Sequence, residues 1–97
     1  MRFIIIREDD NQITLGKDGV FYNDIDTNQL DSTIHAVQWY NTHGDIERQD
    51  PATGNITANE SITSLDDFQW AVDLWQTTHD AYLAWVAEQE ALANPTP

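Results

Sequence analysis

The chain has 97 residues, enough for one domain with a modest core. Its 17 acids against 4 bases give a formal charge of −13, which excludes ordinary nucleic-acid binding, because too few Lys and Arg are present to replace phosphate counterions, and argues against anionic membrane surfaces. With no cysteine, disulfide, iron–sulfur and thiolate–zinc chemistry are excluded as well.

In chain order, Phe3-Ile4-Ile5-Ile6 is apolar on both faces of a strand, which fits a central or well-covered place in a sheet. This run is far too short to span a bilayer and has no signal-peptide pattern, so the chain is expected inside the cell or in a particle assembled there. Polar residues 7–12 turn the chain. Ile13-Thr14-Leu15 and Val20-Phe21-Tyr22 flank Gly16-Lys17-Asp18-Gly19, a strong hairpin signal. Residues 23–32 are polar except for Ile25 and Leu30 and predict a loop or short helical turn pinned by those two side chains. The next strand is 33–40, with Ile34, Ala36, Gln38 and Tyr40 on one face and His35, Val37 and Trp39 on the other. Asn41-Thr42-His43-Gly44 then reverses the chain into 45–49, whose single anchor, Ile46, suggests an edge strand. Residues 50–61, with Pro51 and Gly54, predict an exposed loop, and Ile62-Thr63 one further short pairing.

Residues 64–94 predict one long amphipathic helix carrying three of the four tryptophans. Ser64 and Asp67 have capping-box spacing, and Asp66 and Asp67 place negative charge where first-turn amides lack partners. Phe68, Val72, Trp75, His79, Tyr82 and Val86 recur at steps of four and three, with Ala71, Leu74, Thr78, Ala81 and Trp85 alongside. All four bases, Arg2, Arg7, Lys17 and Arg48, precede this helix. Residues 94–97 are expected to form a frayed tail.

Candidate sites are weak. Asp24, Asp26 and Asn28 match the first alternating ligands of a calcium loop, but Gln29 and His35 stand where glycine and glutamate belong, which favours an Asx-rich turn. His35, His43 and His79 share no local ligand motif. Asn55-Ile56-Thr57 and Asn59-Glu60-Ser61 fit the glycosylation pattern, which has no use without a secretory route. Nothing pairs a nucleophile with a base, so no catalytic residue, metal or cofactor is expected.

At Ile34-His35-Ala36-Val37-Gln38-Trp39, followed by Gly44-Asp45-Ile46-Glu47, the chain resembles a loose group of small tailed-bacteriophage proteins, often encoded near tail-fibre genes. The likeness runs from about Gly19 onward. It implies a role in tail or tail-fibre assembly, in the host cytoplasm during assembly or in the virion, and a phage tail or tail-fibre protein as partner.

The expected fold is α+β: a single domain, 1–97, in which an antiparallel sheet of two hairpins plus the N-terminal strand (1–63) packs against one long C-terminal helix (64–94). A helix of about thirty residues is roughly 45 Å long, whereas six-residue strands run about 20 Å. The segment after about His79 should therefore project, leaving Tyr82, Leu83, Trp85, Val86 and Leu92 uncovered. Tyr82, Leu83, Trp85 and Val86 are accordingly the expected partner-binding residues, for another protein or for self-association. Should the helix end near Ala87 and fold back on 50–61, docking would move to the sheet around His35 and Val37. The competing function is an acidic inhibitor that imitates DNA, with Asp66, Asp73, Asp80, Glu88 and Glu90 as its charged row.

Overall fold

A computed structural model describes residues 1–93. Six strands form one antiparallel sheet: β1 (Arg2–Arg7), β2 (Gln12–Lys17), β3 (Val20–Asp26), β4 (Ile34–Tyr40), β5 (His43–Gln49) and β6 (Ile56–Ile62), in the spatial order β3-β2-β1-β4-β5-β6. A 3-10 turn, Asp66–Phe68, leads into α1, Gln69–Ala93. The α+β architecture is thus as the sequence implies, and β1 takes the central place that its apolar run requires. Its two faces differ. Phe3 and Ile5 are fully buried under the helix layer, while Ile6 on the opposite face is 39% exposed, because nothing covers that side of the sheet.

The core follows from strand register. One transverse row, Tyr22–Leu15–Ile5–Val37–Ile46–Glu60, crosses all six strands, and a second runs Val20–Lys17–Phe3–Trp39–Gly44–Ile62. Both rows are apolar in the middle; the first ends in Tyr22 and the exposed Glu60, the second in the exposed Val20 and the partly buried Ile62. Phe68, Ala71 and Trp75 close over the centre, with Leu30 and Ile34 at one side. Gly44 is required in the second row: a Cβ there would strike the Gln38 carbonyl oxygen and the Trp39 ring lying across it.

Turn chemistry sets the hairpins. Asp18 and Gly19 both take positive φ (49° and 87°), the pattern of a two-residue hairpin turn that matches strand twist. Gly16 and Lys17 therefore belong to β2, and His43 and Gly44 to β5, with Asn41 (φ 63°) supplying the second reversal.

Several boundaries differ from expectation. Residues 23–26, expected as loop, complete β3, which runs to Asp26. Residues 56–61 are a strand and not loop; the turn is confined to 50–55, where the Gly54 amide donates to the Asp50 carbonyl (2.7 Å) and the Asp50 amide to that of Asn55 (2.8 Å). β6 is hard to see because every residue but Ile62 is exposed, so it has no apolar alternation. It also makes β6, and not β5, the edge. In β4 a bulge between Ile34 and Ala36 turns Ile34 to the buried side with Val37 and Trp39. The α-helix begins at Gln69 rather than 64: the Ser64 hydroxyl takes the Asp66 amide (3.1 Å), one residue short of a capping box, and the chain tightens into the 3-10 turn first. Residues 94–97, expected as a tail, lie outside the described residues.

Candidate partner-docking surface

The helix crosses the inner face of the sheet from the β5 side toward β3. At its start Phe68 and Trp70 line a hollow of about 260 Å3 with Ile46 and Ile62; further on, Trp75, His79 and Tyr82 meet β3. α1 is 25 residues, about 37 Å. The strands are only six or seven residues long, so α1 runs past the β3 edge and the molecule measures 60 × 30 × 17 Å.

An aromatic ladder holds this crossing in place. The Trp75 indole N–H donates to the Val20 carbonyl (3.0 Å), and its ring stacks on His79 at 4.6 Å and 17°. Lys17 places its ammonium 5.1 Å from the Trp75 ring centre, a cation–π contact. From the strand, Tyr22 reaches His79 Nδ1 with its hydroxyl (2.6 Å) and sets its ring against Trp75, His79 and Tyr82. Burial first, and Tyr82 second, push the Tyr22 hydroxyl above its ordinary range, which favours the phenol that hydrogen-bonds to His79. Tyr82 in turn carries Trp85, stacked at 6.3 Å.

Beyond this point the helix has no sheet beneath it. Tyr82 is 48% exposed, Leu83 50%, Trp85 56% and Leu92 69%, while Val86 is half-buried. The projection starts one turn later than the length argument gives, since Tyr82 still rests on Tyr22. α1 runs unbroken to Ala93, so the fold-back onto 50–61 is not adopted. Val37 is fully buried and faces the core, which removes it from any exposed docking face.

Electrostatics sharpen the surface. Every base is already engaged within the chain: Arg2 donates to the Trp39 carbonyl and lies over Tyr40, Arg7 donates to the carbonyls of Ile34, Asp9, Leu30 and Asp31, Lys17 sits by Trp75, and Arg48 holds Glu60 at 2.8 Å. The remaining surface is acidic. The histidines do not converge: His35 faces Glu47 (3.7 Å), His43 stacks on Tyr40, and His79 joins the ladder. Among the described residues no group of three His, Asp or Glu side chains is arranged to hold a metal, and no helix is long and apolar enough to cross a membrane.

Tyr22 is what the sequence reading lacked. Its signal was present, since in Val20-Phe21-Tyr22 the alternation sets Tyr22 opposite Phe21, on the helix side. His79, a polar member of the helix stripe, is the residue that Tyr22 binds.

Fold and surface define a class, an α+β domain whose single helix outruns an open-faced antiparallel sheet. No family model, curated protein or solved structure matches the chain.

Proposed function

We propose that the protein is a non-enzymatic bacteriophage structural or assembly protein that binds a tail or tail-fibre component through the projecting end of α1. The observation that carries this reading is the exposure of Tyr82, Leu83 and Trp85 on a helix that continues beyond its sheet. Burying apolar and aromatic side chains is the main source of interface affinity, and a rigid helix presents them without an ordering cost. The ladder of Trp75, His79, Tyr22 and Tyr82 fixes the direction in which the arm leaves the sheet. The phage assignment rests on the sequence resemblance described above.

The imitation of DNA is less well supported, because its acid row is short. Asp73 and Asp80 share a face at seven-residue spacing, but Glu88 and Glu90 turn about 80° to either side of it.

Co-expression with each tail and tail-fibre protein encoded beside the gene, followed by co-purification, tests the proposal. The wild type should bring down one of them, and the double variant Tyr82→Ala with Trp85→Ala should not, while it stays folded with a melting temperature lowered only by the loss of the Tyr22–Tyr82 contact. Docking through aromatic side chains should depend weakly on salt; a steep loss with salt would favour mimicry. Capture that survives the double variant sinks the helix-arm reading.

A further inference from the structure

The two edges of the sheet are treated differently. β3 is blocked: Asp24 takes a left-handed conformation (φ 57°) in mid-strand, its amide is held by the Glu8 carboxylate (2.7 Å), and a bulge offsets its pairing with β2 between Ile13 and Leu15. Asp24 and Asp26 add charge, and α1 passes across. β6 has a bulge too, at Thr57 near its start, but no left-handed residue in mid-strand and one charge, Glu60, in place of two. It runs seven residues, Ile56–Ile62, exposed at all but the last, with no proline or lysine. An edge of that kind offers a row of unpaired backbone donors and acceptors to another strand.

Its side chains select the partner. Residues 57–61, Thr-Ala-Asn-Glu-Ser, are nearly symmetric about Asn59. An antiparallel second copy centred there sets Asn59 opposite Asn59, Ala58 opposite Glu60 and Thr57 opposite Ser61. Amide and hydroxyl groups then face one another, and the two Glu60 carboxylates stand diagonally, about 8 Å apart at the backbone, and not directly opposite. Glu60, the one charge on the strand, is already held by Arg48 of its own chain at 2.8 Å. The register shift between Arg48 and Gln49 leaves Thr57 as the extra residue, with Ile56 paired to Gln49 beyond it. In a chain of charge −13 this edge carries a single carboxylate, Glu60. The next acids inward, Asp45 and Glu47 on β5, would stand about 14 Å from their equivalents at three strand spacings, beyond a Debye length of about 8 Å.

We propose that β6 is a homodimer edge, two copies joining antiparallel about a two-fold axis through Asn59 into one continuous sheet. Both helix arms leave past β3, at the outer ends of that sheet, so the dimer presents two free docking ends.

The absence of cysteine makes the register directly testable. In sedimentation equilibrium the full chain should associate to a dimer, and association should tighten as NaCl screens the acids. Oxidised Asn59→Cys should give a covalent dimer, whereas Thr57→Cys, about 14 Å from its equivalent across the axis, should not. Asn59→Asp, which opposes two carboxylates, should weaken the dimer about fivefold with its melting curve little changed. A chain monomeric at every concentration and salt tested overturns the proposal. So does equal cross-linking of the two cysteine variants. A dimer lost in Tyr82→Ala with Trp85→Ala but kept in Asn59→Asp would assign self-association to the helix arm instead.

Discussion

At the scale of single residues, the polar contacts that hold loops and rungs decide more than the surface charges do. Asp31 is the clearest case: its carboxylate accepts the Thr33 amide (2.8 Å) and hydroxyl (2.7 Å), and Arg7 and Arg48 clamp the same loop. The Thr33 amide first, then its hydroxyl and the two guanidinium groups, hold the Asp31 carboxyl below the usual carboxylate range. A depressed folded pKa stabilises above the unfolded value, about 3.9, and that contribution disappears as pH falls through the lower folded value. The melting temperature of Asp31→Asn should therefore lie below wild type at neutral pH, with the gap closing in acid. A gap that widened in acid would contradict the assignment. In the ladder, Tyr22→Phe keeps the ring contacts and loses only the bond to His79, so it should cost about 1 kcal/mol in urea unfolding. Tyr22→Ala should cost more, because Trp75, His79 and Tyr82 all lose a neighbour.

Elements show where the sequence speaks and where it falls silent. Trp75→Ala removes a buried ring, its bond to Val20 and its stacking on His79, and should cost about 3–5 kcal/mol by denaturant titration. Gly44→Ala should cost about 1–3 kcal/mol, since Gln38 and Trp39 leave no room for a methyl group. Trp39, Trp75 and the helix stripe were legible because burial imposes a period of 3.6 or 2 on apolar side chains. β6 was not, because an exposed edge strand is specified by its backbone bonds to β5 and imposes no such period. The bulge that turns Ile34 inward was equally hidden, as one inserted residue reverses the alternation on which face assignments depend. At the candidate surface, the helix contribution could be read as far as Val86. Tyr22 could not be joined to it, since a rung that pairs residues 57 positions apart leaves no local pattern.

For the whole molecule, charge sets the last expectation. With 17 acids and 4 bases, and each base already committed to a contact inside the chain, the acids outnumber the cations about fourfold. Salt screens attraction and repulsion alike, so the sign of its effect reports which dominates. The attractive side is small: Arg48 is partly buried but its partner Glu60 is exposed, and His35 with Glu47 counts only when the imidazole is protonated. Repulsion should dominate, and the melting temperature at neutral pH should rise as NaCl is added. A relief of about 1 kcal/mol would raise it by roughly 4–8 °C for a domain of this size. NaCl is the appropriate salt, because sulfate would also strengthen apolar burial and confuse the two effects. Measured on Asn59→Asp at low protein concentration, where the edge is unpaired, the rise belongs to the monomer itself. A fall with NaCl would mean that the few ion pairs outweigh the excess of acids, and that the acidity does not work against the fold.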